Sequence, residues 1–198
     1  ELPNGARVGT TSLRRRMQLL ALRPDLEIIS LRGNVNSRIA KLKDGEFDAI
    51  ILAMAGINRL DLSKEVNYIS VLNTIAAMGQ GALGIEAVDR ADILEAIEFL
   101  NDEKSVIETT IERAFVHKLN GGCQAPIGVS ARLDGDKICV RAILGTPDGK
   151  EILKDERVFN KAEYKEAGEI LADEFINQGA KELLAKAEQI ASQIWAIK

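Results

Sequence analysis

The sequence predicts two folding units of different class: an α/β unit on a parallel sheet, then a small α+β unit with a three-stranded antiparallel sheet and helices. Over residues 6–60, short apolar strands alternate with helical patterns, an order that produces a parallel sheet with right-handed crossovers. After residue 128 the pattern changes to alternating apolar and polar residues with hairpin turn signals. Gly79 and Gly81 lie between the two patterns, and we expect the chain to cross between domains there.

The first unit is predicted from three β-α repeats. Thr11 or Ser12 is a suitable N-cap for the first helix, and Gly33 begins the turn into the second. Residues 48–54 are a nearly continuous apolar run, typical of a parallel strand buried on both faces. The predicted strands cover residues 7–10, 27–32, 48–54 and 68–72, and the predicted helices cover residues 13–22, 35–43 and 55–60.

The crossing contains Gly79, Gly81 and Gly84 in a formal G-x-G-x-x-G pattern. A dinucleotide site needs a strand before this motif and a helix after it, but residues 83–88 predict a strand. A flexible connection explains these glycines better. Beyond it we predict helices over residues 91–100 and 104–119, strands over 129–133, 137–145 and 150–159, and helices over 162–177 and 180–194. The predicted domains are therefore residues 1–78 and 101–198, with residues 79–100 as the connection between them.

Charge is distributed unevenly along the chain. The net charge is −4, yet residues 1–59 hold ten Lys/Arg against six Asp/Glu, and most of the basic residues are arginine. This excess favours an anionic ligand for the first unit. Nucleic acid is not indicated, because the whole chain is acidic and aromatic residues are few. No apolar run approaches membrane-spanning length and no secretory leader is visible, so we expect a cytoplasmic protein without a membrane partner.

Several arginines fall where the predicted parallel strands end, next to helix N-termini, which is where sheets of this class bind ligands. The arginine fork donates two parallel hydrogen bonds and suits carboxylates or phosphates. The arginines placed near this edge are Arg14, Arg15, Arg32, Arg38 and Arg59. Arg16 and Arg23 are expected to face solvent.

Cys123 lies on a glycine-flanked turn between a helical pattern and a strand pattern. Gly121 and Gly122 permit positive φ, and Pro126 prevents a helix from resuming, so the thiol can point into a cleft. The alternative is a small buried apolar side chain. Two cysteines and one histidine provide neither a disulfide framework nor a metal cluster, so no metal site is expected.

These residues, taken together, resemble the porphobilinogen deaminase (hydroxymethylbilane synthase) family. The resemblance runs in order from the N-terminus to about Leu184. The segments that carry it are Thr11-Ser12-Leu13-Arg14-Arg15, Leu31-Arg32-Gly33-Asn34, Ser37-Arg38, Asp48-Ala49-Ile50-Ile51-Leu52-Ala53, Ala55-Gly56-Ile57-Asn58-Arg59-Leu60, Gly79-Gln80-Gly81 and Gly121-Gly122-Cys123-Gln124-Ala125-Pro126-Ile127-Gly128.

The resemblance implies a transferase of tetrapyrrole (haem) biosynthesis with a periplasmic-binding-protein-like parallel-sheet domain. Such an enzyme links four porphobilinogen molecules head to tail into hydroxymethylbilane and releases ammonia, and it acts as a cytoplasmic monomer. The reaction is primed on a dipyrromethane cofactor joined by a thioether to Cys123. The implied carboxylate-binding arginines are Arg14, Arg15, Arg32, Arg38 and Arg59, and Ser12 and Gly33 join Arg14, Arg15 and Arg32 in contacting the cofactor.

The resemblance also implies an N-terminal part that this sequence does not contain. That part would form most of a first α/β domain, to which residues 79–100 would return, and it would carry the catalytic aspartate. We therefore expect this chain alone to be inactive. The residues themselves leave other functional hypotheses open. They are a solute-binding or effector-type module that needs no loop cysteine, a phosphate-binding enzyme using residues 79–84, and a purely structural role for the last domain.

Overall fold

The computed structural model describes residues 1–122 and 125–196, and the first unit in it contains a three-stranded parallel sheet. Strand β1 (Arg7–Gly9) lies at the centre, between β2 (Glu27–Ile29) and β3 (Ala49–Ile50). Val8 pairs with Ile28 on one side and with Ala49 on the other. Helices α1 (Leu13–Leu22), α2 (Val35–Lys43) and α3 (Met54–Arg59) follow β1, β2 and β3 in turn. The predicted β-α order is confirmed.

Two side-chain caps fix where the first helices begin. The Ser12 Oγ accepts a hydrogen bond from the Arg15 N–H at 3.3 Å, and the Asn34 Oδ1 accepts one from the Ser37 N–H at 2.9 Å. Each cap satisfies a backbone donor that the first turn of a helix leaves without an internal partner. Both helices therefore begin just beyond the carboxyl end of their strand.

The second unit is an antiparallel sheet covered by helices, as predicted. Strands β4 (Ile127–Asp134), β5 (Lys137–Gly145) and β6 (Ile152–Asn160) pair in that order. Its helices are α5 (Glu103–Lys118), α6 (Tyr164–Asn177) and α7 (Ala180–Ala196), and α4 (Ala91–Ile97) precedes them in the segment between the two units. Phe115 of α5 and Phe175 of α6 are buried edge to face, with their ring centroids 5.2 Å apart, at the centre of the main core.

Residues 75–79 join the two units through hydrogen bonds made by their backbone groups. The Val129 N–H donates to the Ala76 carbonyl at 2.9 Å, and the Gly79 N–H donates to a carboxylate oxygen of Glu112 at 2.6 Å. Met17 of α1, Ile75 and Ile143 of β5 form a small buried cluster between the units. The predicted crossing is therefore anchored on its N-terminal side.

Two predicted strands are wrong in this structure. Residues 68–72 and 83–88 form no strand, and the second segment is exposed throughout, with Leu83 at 97% of its full exposure. Within the described residues neither segment has a strand beside it, and an isolated strand leaves its backbone polar groups without partners. Strands β2 and β3 are also shorter than predicted, and α3 begins at Met54, inside the predicted apolar strand.

No helix in the described part of the chain is long and apolar enough to cross a membrane.

Candidate functional site

The N-terminus of α1 forms one wall of the candidate site. The Thr11 hydroxyl donates to the Leu31 carbonyl at 3.0 Å, and the Ser12 N–H donates to the Thr10 hydroxyl at 3.2 Å. The first of these bonds ties the start of α1 to Leu31, two residues beyond the end of β2. Consequently the first turn of α1 is held at the carboxyl edge of the sheet, where helix N–H groups favour an anion.

Arg14 and Arg15 project from this first turn, and both are partly buried. The Arg15 Nη1 donates to the Ile51 carbonyl at 2.9 Å, which fixes its guanidinium beside the end of β3. Burial lowers the pKa of Arg15, and the charge of Arg38 lowers it further. Burial likewise lowers the pKa of Arg14, with Arg15 adding repulsion. The structure therefore brings Arg15 within electrostatic reach of Arg14 on one side and of Arg38 on the other.

Arg38 reaches the same edge from α2. Its Nε donates to the Gly33 carbonyl at 2.7 Å, so the guanidinium folds back over the turn that follows β2. Gly33 has φ of 120°, and a Cβ there would lie 2.3 Å from the Ser37 Oγ. Only glycine suits this position without displacing Ser37.

This cluster of like charges lacks a compensating carboxylate. None of Arg14, Arg15 and Arg38 forms an ion pair with an acidic side chain of residues 1–122 or 125–194. Elsewhere in the same unit Arg7 pairs with Asp48, and Arg23 pairs with Asp25. A partly buried, mutually repelling set of arginines is stabilised by an anionic ligand that bridges them.

The remaining predicted arginines are more peripheral. Arg32 is exposed directly after the buried Leu31, on the same turn as Gly33. Arg59 is the last residue of α3 and is exposed, and its side chain forms no hydrogen bond or ion pair within the described residues. Of the five predicted arginines, three are therefore partly buried, whereas Arg32 and Arg59 are exposed.

The two arginines predicted to face solvent do not do so freely. Arg16 is partly buried, its Nη1 donates to the Ile28 carbonyl at 2.9 Å, and burial lowers its pKa. Arg23 is bound to Asp25 and to the Leu2 and Pro3 carbonyls. The prediction is wrong for Arg16, because the neighbouring strand approaches closely enough to supply an acceptor, whereas Arg23 forms its ion pair with Asp25 at the surface.

Cys123 and Gln124 lie outside the described residues. On either side the loop is held by backbone bonds from Gly121 N–H to the Val116 carbonyl, 3.0 Å, and from Ala125 N–H to the Gly122 carbonyl, 3.0 Å. The other cysteine, Cys139, lies on β5, as expected. Its thiol donates to Glu156 at 3.5 Å, and burial together with this bond raises its pKa.

Comparison with known proteins identifies the family. Residues 1–96 match the family model described as porphobilinogen deaminase, dipyromethane cofactor binding domain, and residues 106–177 match the model of the porphobilinogen deaminase C-terminal domain. The chain belongs to the porphobilinogen deaminase family. The arginine cluster thus lies in the segment that matches the cofactor-binding domain, and Cys123 lies in the segment that matches the C-terminal domain.

Three relatives illustrate how close this membership is, and all are named porphobilinogen deaminase. The protein of Campylobacter fetus subsp. fetus is 73% identical over 190 residues, a match covering 96% of this chain and 63% of the relative. That of Campylobacter jejuni subsp. doylei is 65% identical over 192 residues, covering 96% and 62%. That of Campylobacter hominis is 62% identical over 194 residues, covering 96% and 63%. The chain therefore spans less than two thirds of the length of these relatives.

The site's chemistry fits the dipyrromethane named in the family model. Arg14, Arg15 and Arg38 offer guanidinium donors that keep their charge at neutral pH, and the N-termini of α1 and α2 add backbone N–H donors. Among the described residues no group of His, Cys, Asp and Glu could hold a metal ion. The residues present therefore suit an organic polyanion.

Sequence reasoning missed two buried polar residues that support the site in this deaminase-family chain. Gln18 on α1 is 6% exposed and is bound to Ile75, and Glu112 on α5 is 8% exposed and is bound to Gly79 and Ala131. Gln18 follows the buried Met17 and precedes the buried Leu19. A polar residue between two apolar helix positions was the available signal.

Proposed function

We propose that this chain is the part of a porphobilinogen deaminase that binds the pyrrole carboxylates and carries the cofactor thiol. The whole enzyme would be a transferase that condenses four porphobilinogen molecules head to tail into hydroxymethylbilane with release of ammonia, in tetrapyrrole biosynthesis. The observation that carries this proposal is the uncompensated cluster of Arg14, Arg15 and Arg38 at the strand ends of the segment matching the cofactor-binding domain.

In this proposal the arginines bind the acetate and propionate groups of the pyrroles. Each added ring brings two negative charges, and guanidinium groups offset their repulsion without losing a proton at neutral pH. On this proposal the partly buried Arg14 and Arg15 bind the inner rings, whereas the exposed Arg32 and Arg59 bind rings that enter or leave. Ser12 and Gly33 supply polar contacts at the starts of the two helices.

Cys123 is proposed to hold the dipyrromethane through a thioether. When bound, this group supplies the primer that is extended. A covalent anchor at the protein prevents the growing chain from diffusing away between additions. A thioether is also not opened by thiol exchange, unlike a disulfide.

We further propose that the length by which the relatives exceed this chain includes an N-terminal part with the catalytic aspartate. Large apolar side chains of residues 83–100 are exposed, among them Leu83 at 97% and Phe99 at 80%. Such a set is unusual on a free surface and suits packing against a further part of the protein. On this proposal residues 79–100 return to that part, between domains 1–78 and 101–198, and the chain alone is inactive.

The decisive experiment is intact mass of the purified protein followed by peptide mapping around Cys123. We expect a mass excess equal to two linked pyrroles on the Cys123 peptide of the full-length protein. Cys123→Ser is expected to abolish this excess, and Cys139→Ser, the matched control on β5, is expected to retain it. A full-length protein with unmodified Cys123 and no consumption of porphobilinogen would contradict the proposal.

The alternative of a non-covalent binding module makes a different prediction. Its affinity for an anionic ligand would be the same in the wild type and in Cys123→Ser. A phosphate-binding enzyme would instead be stabilised by nucleotide, and thermal unfolding with added nucleotide tests this. We also propose a monomer in the cytoplasm, which sedimentation and cell fractionation of the full-length protein would check.

A further inference from the structure

The C-terminal half of α1 contacts the turn between β5 and β6, residues 146–149. Gly149 has φ of 73°, and a Cβ there would lie 2.6 Å from the Ala21 nitrogen, 2.9 Å from the Leu20 carbonyl carbon and 2.9 Å from the Met17 oxygen. All three atoms belong to the backbone of α1. Because backbone cannot move aside as a side chain can, only a glycine allows the turn and the helix to approach this closely.

The turn itself is internally braced. The Thr146 side chain is fully buried, and its hydroxyl donates to Asp148 at 2.5 Å while accepting from the Glu151 N–H at 3.2 Å. The Gly149 N–H donates to the Thr146 carbonyl at 2.9 Å. The surface that meets α1 is therefore a fixed part of the second unit.

Neighbouring contacts hold the same helix against the second unit. Met17 is fully buried with Ile75 and Ile143, and Gln18 is bound to the backbone of Ile75. Burial lowers the pKa of Arg16, and the nearby negative charge of Asp148 on the turn opposes this by attraction. The turn, the small cluster and the Gln18 contact thus fix the axial position and rotation of α1.

The opposite end of α1 carries Ser12, Arg14 and Arg15. Arg14 lies seven residues before Ala21, about 10 Å along the helix axis at 1.5 Å per residue. A ten-residue helix moves as one body, so a displacement at Ala21 changes the position of both arginine side chains at the strand ends.

We propose that Gly149 is a positioning residue, through which the second unit sets the place of the arginine-bearing end of α1. This inference rests on the proposed function of that end in binding pyrrole carboxylates. Gly149 does not touch the ligand; it determines how closely the helix lies on the turn.

The test compares Gly149→Ala with Gly135→Ala in the full-length protein. Gly135 lies in the turn between β4 and β5 with φ of 56°, and a Cβ there would have nothing within 4 Å. Both variants therefore carry a similar backbone penalty, and only Gly149→Ala displaces α1. We expect Gly149→Ala to raise the KM for porphobilinogen about tenfold over Gly135→Ala, with kcat changed about twofold or less.

A readout that does not depend on turnover is amide hydrogen exchange of α1. The peptide covering residues 13–22 is expected to exchange faster in Gly149→Ala and at the wild-type rate in Gly135→Ala. Thr146→Val, which removes the hydroxyl that braces the turn, is expected to raise KM in the same direction by about threefold, with Thr146→Ser restoring it. The two Thr146 variants test the positioning role of the turn if Gly149→Ala does not fold.

Two results overturn the inference for different reasons. If the wild type consumes porphobilinogen but Gly149→Ala and Thr146→Val both match Gly135→Ala in KM and exchange, the turn has no positioning role and the proposed function stands. If the full-length wild type neither consumes porphobilinogen nor carries a modified Cys123, the proposed function itself fails.

Discussion

The side-chain amide of Gln18 forms a closed pair of hydrogen bonds with the backbone of Ile75. Its Nε2 donates to the Ile75 carbonyl at 3.0 Å, and its Oε1 accepts from the Ile75 N–H at 2.8 Å. Both residues are buried, so this pair replaces the contacts that a neighbouring strand would provide for Ile75. The pair joins the arginine-bearing helix to the segment leading into the second unit.

Gln18→Leu is therefore expected to reduce the free energy of unfolding by about 2 kcal/mol or more. The leucine fills a similar volume but leaves the Ile75 N–H and carbonyl buried without partners, and each such group costs about 1–3 kcal/mol. Denaturant unfolding measures the change. Gln178→Leu, at the exposed end of α6, is the matched control and is expected to stay within about 0.5 kcal/mol of the wild type. Equal losses in both variants would show that the pair has no net effect.

Arg14→Leu is expected to weaken porphobilinogen binding by about tenfold or more while leaving the protein at least as stable. Burial, and then repulsion by Arg15, lower the pKa of Arg14 in the folded state. Removing the Arg14 charge therefore removes an unfavourable contribution to folding. A charge-assisted hydrogen bond to a carboxylate contributes about 1.5–3 kcal/mol. KM and thermal unfolding of the full-length protein are the two measurements.

Arg113→Leu is the control for that variant, since Arg113 is exposed on α5 and has no ion pair within the described residues. We expect it to change KM by less than about twofold. If Arg14→Leu destabilised the protein without altering KM, Arg14 would be structural and not a ligand contact.

Glu112 is expected to make stability depend on pH. Burial raises the Glu112 pKa in the folded state, so the folded protein binds a proton more readily than the unfolded chain does. The free energy of unfolding should consequently gain a contribution as pH falls from the raised value towards the ordinary value of 4.5, and lose it as pH rises again. Denaturant unfolding across this range, in wild type and Glu112→Gln, isolates the contribution, which the variant should lack.

The same variant has a second expected effect at neutral pH. The two Glu112 oxygens accept from the Gly79 and Ala131 N–H groups, but a glutamine side chain offers a single oxygen. Glu112→Gln should therefore leave one backbone donor unpaired, at a cost of about 1–3 kcal/mol. Glu108→Gln, where one carboxylate oxygen accepts from the Leu133 N–H at 2.8 Å, can keep its bond and is the control. A larger loss for Glu108→Gln than for Glu112→Gln would contradict this account.

Gly33→Ala is expected to weaken porphobilinogen binding more than Gly45→Ala does. Both glycines have positive φ, 120° and 74°, so each substitution strains the backbone. At Gly33 the new Cβ would also lie 2.3 Å from the Ser37 Oγ, whereas at Gly45 it would have nothing within 4 Å. Moving Ser37 and the turn displaces the carbonyl that holds Arg38. The measurement is the KM of each variant for porphobilinogen. Equal KM values would show that the turn at Gly33 lies outside the site.

Local pattern was sufficient for most of the secondary structure. The bounds of α1, α2 and β5 agree with the prediction, because caps such as Ser12 and Asn34 and the apolar periodicity are properties of neighbouring residues. The segments 68–72 and 83–88 were mispredicted for the opposite reason. A strand depends on a partner elsewhere, and apolar alternation at Leu83 or Ile85 reports only that burial is possible.

For the candidate site, the sequence by itself determined the residue types and their places at the strand ends. The location of Arg14, Arg15 and Arg38 at one edge follows from the chain order of a parallel β-α unit, because strand ends and helix starts must meet there. Tertiary structure alone decided that Arg38 acts electrostatically on Arg15 and that Arg16 is bound to Ile28. It also decided the contacts that Gln18, Glu112 and Gly149 make between the two units. The physical reason is that these contacts join residues distant in sequence, and their geometry exists only once both units have packed.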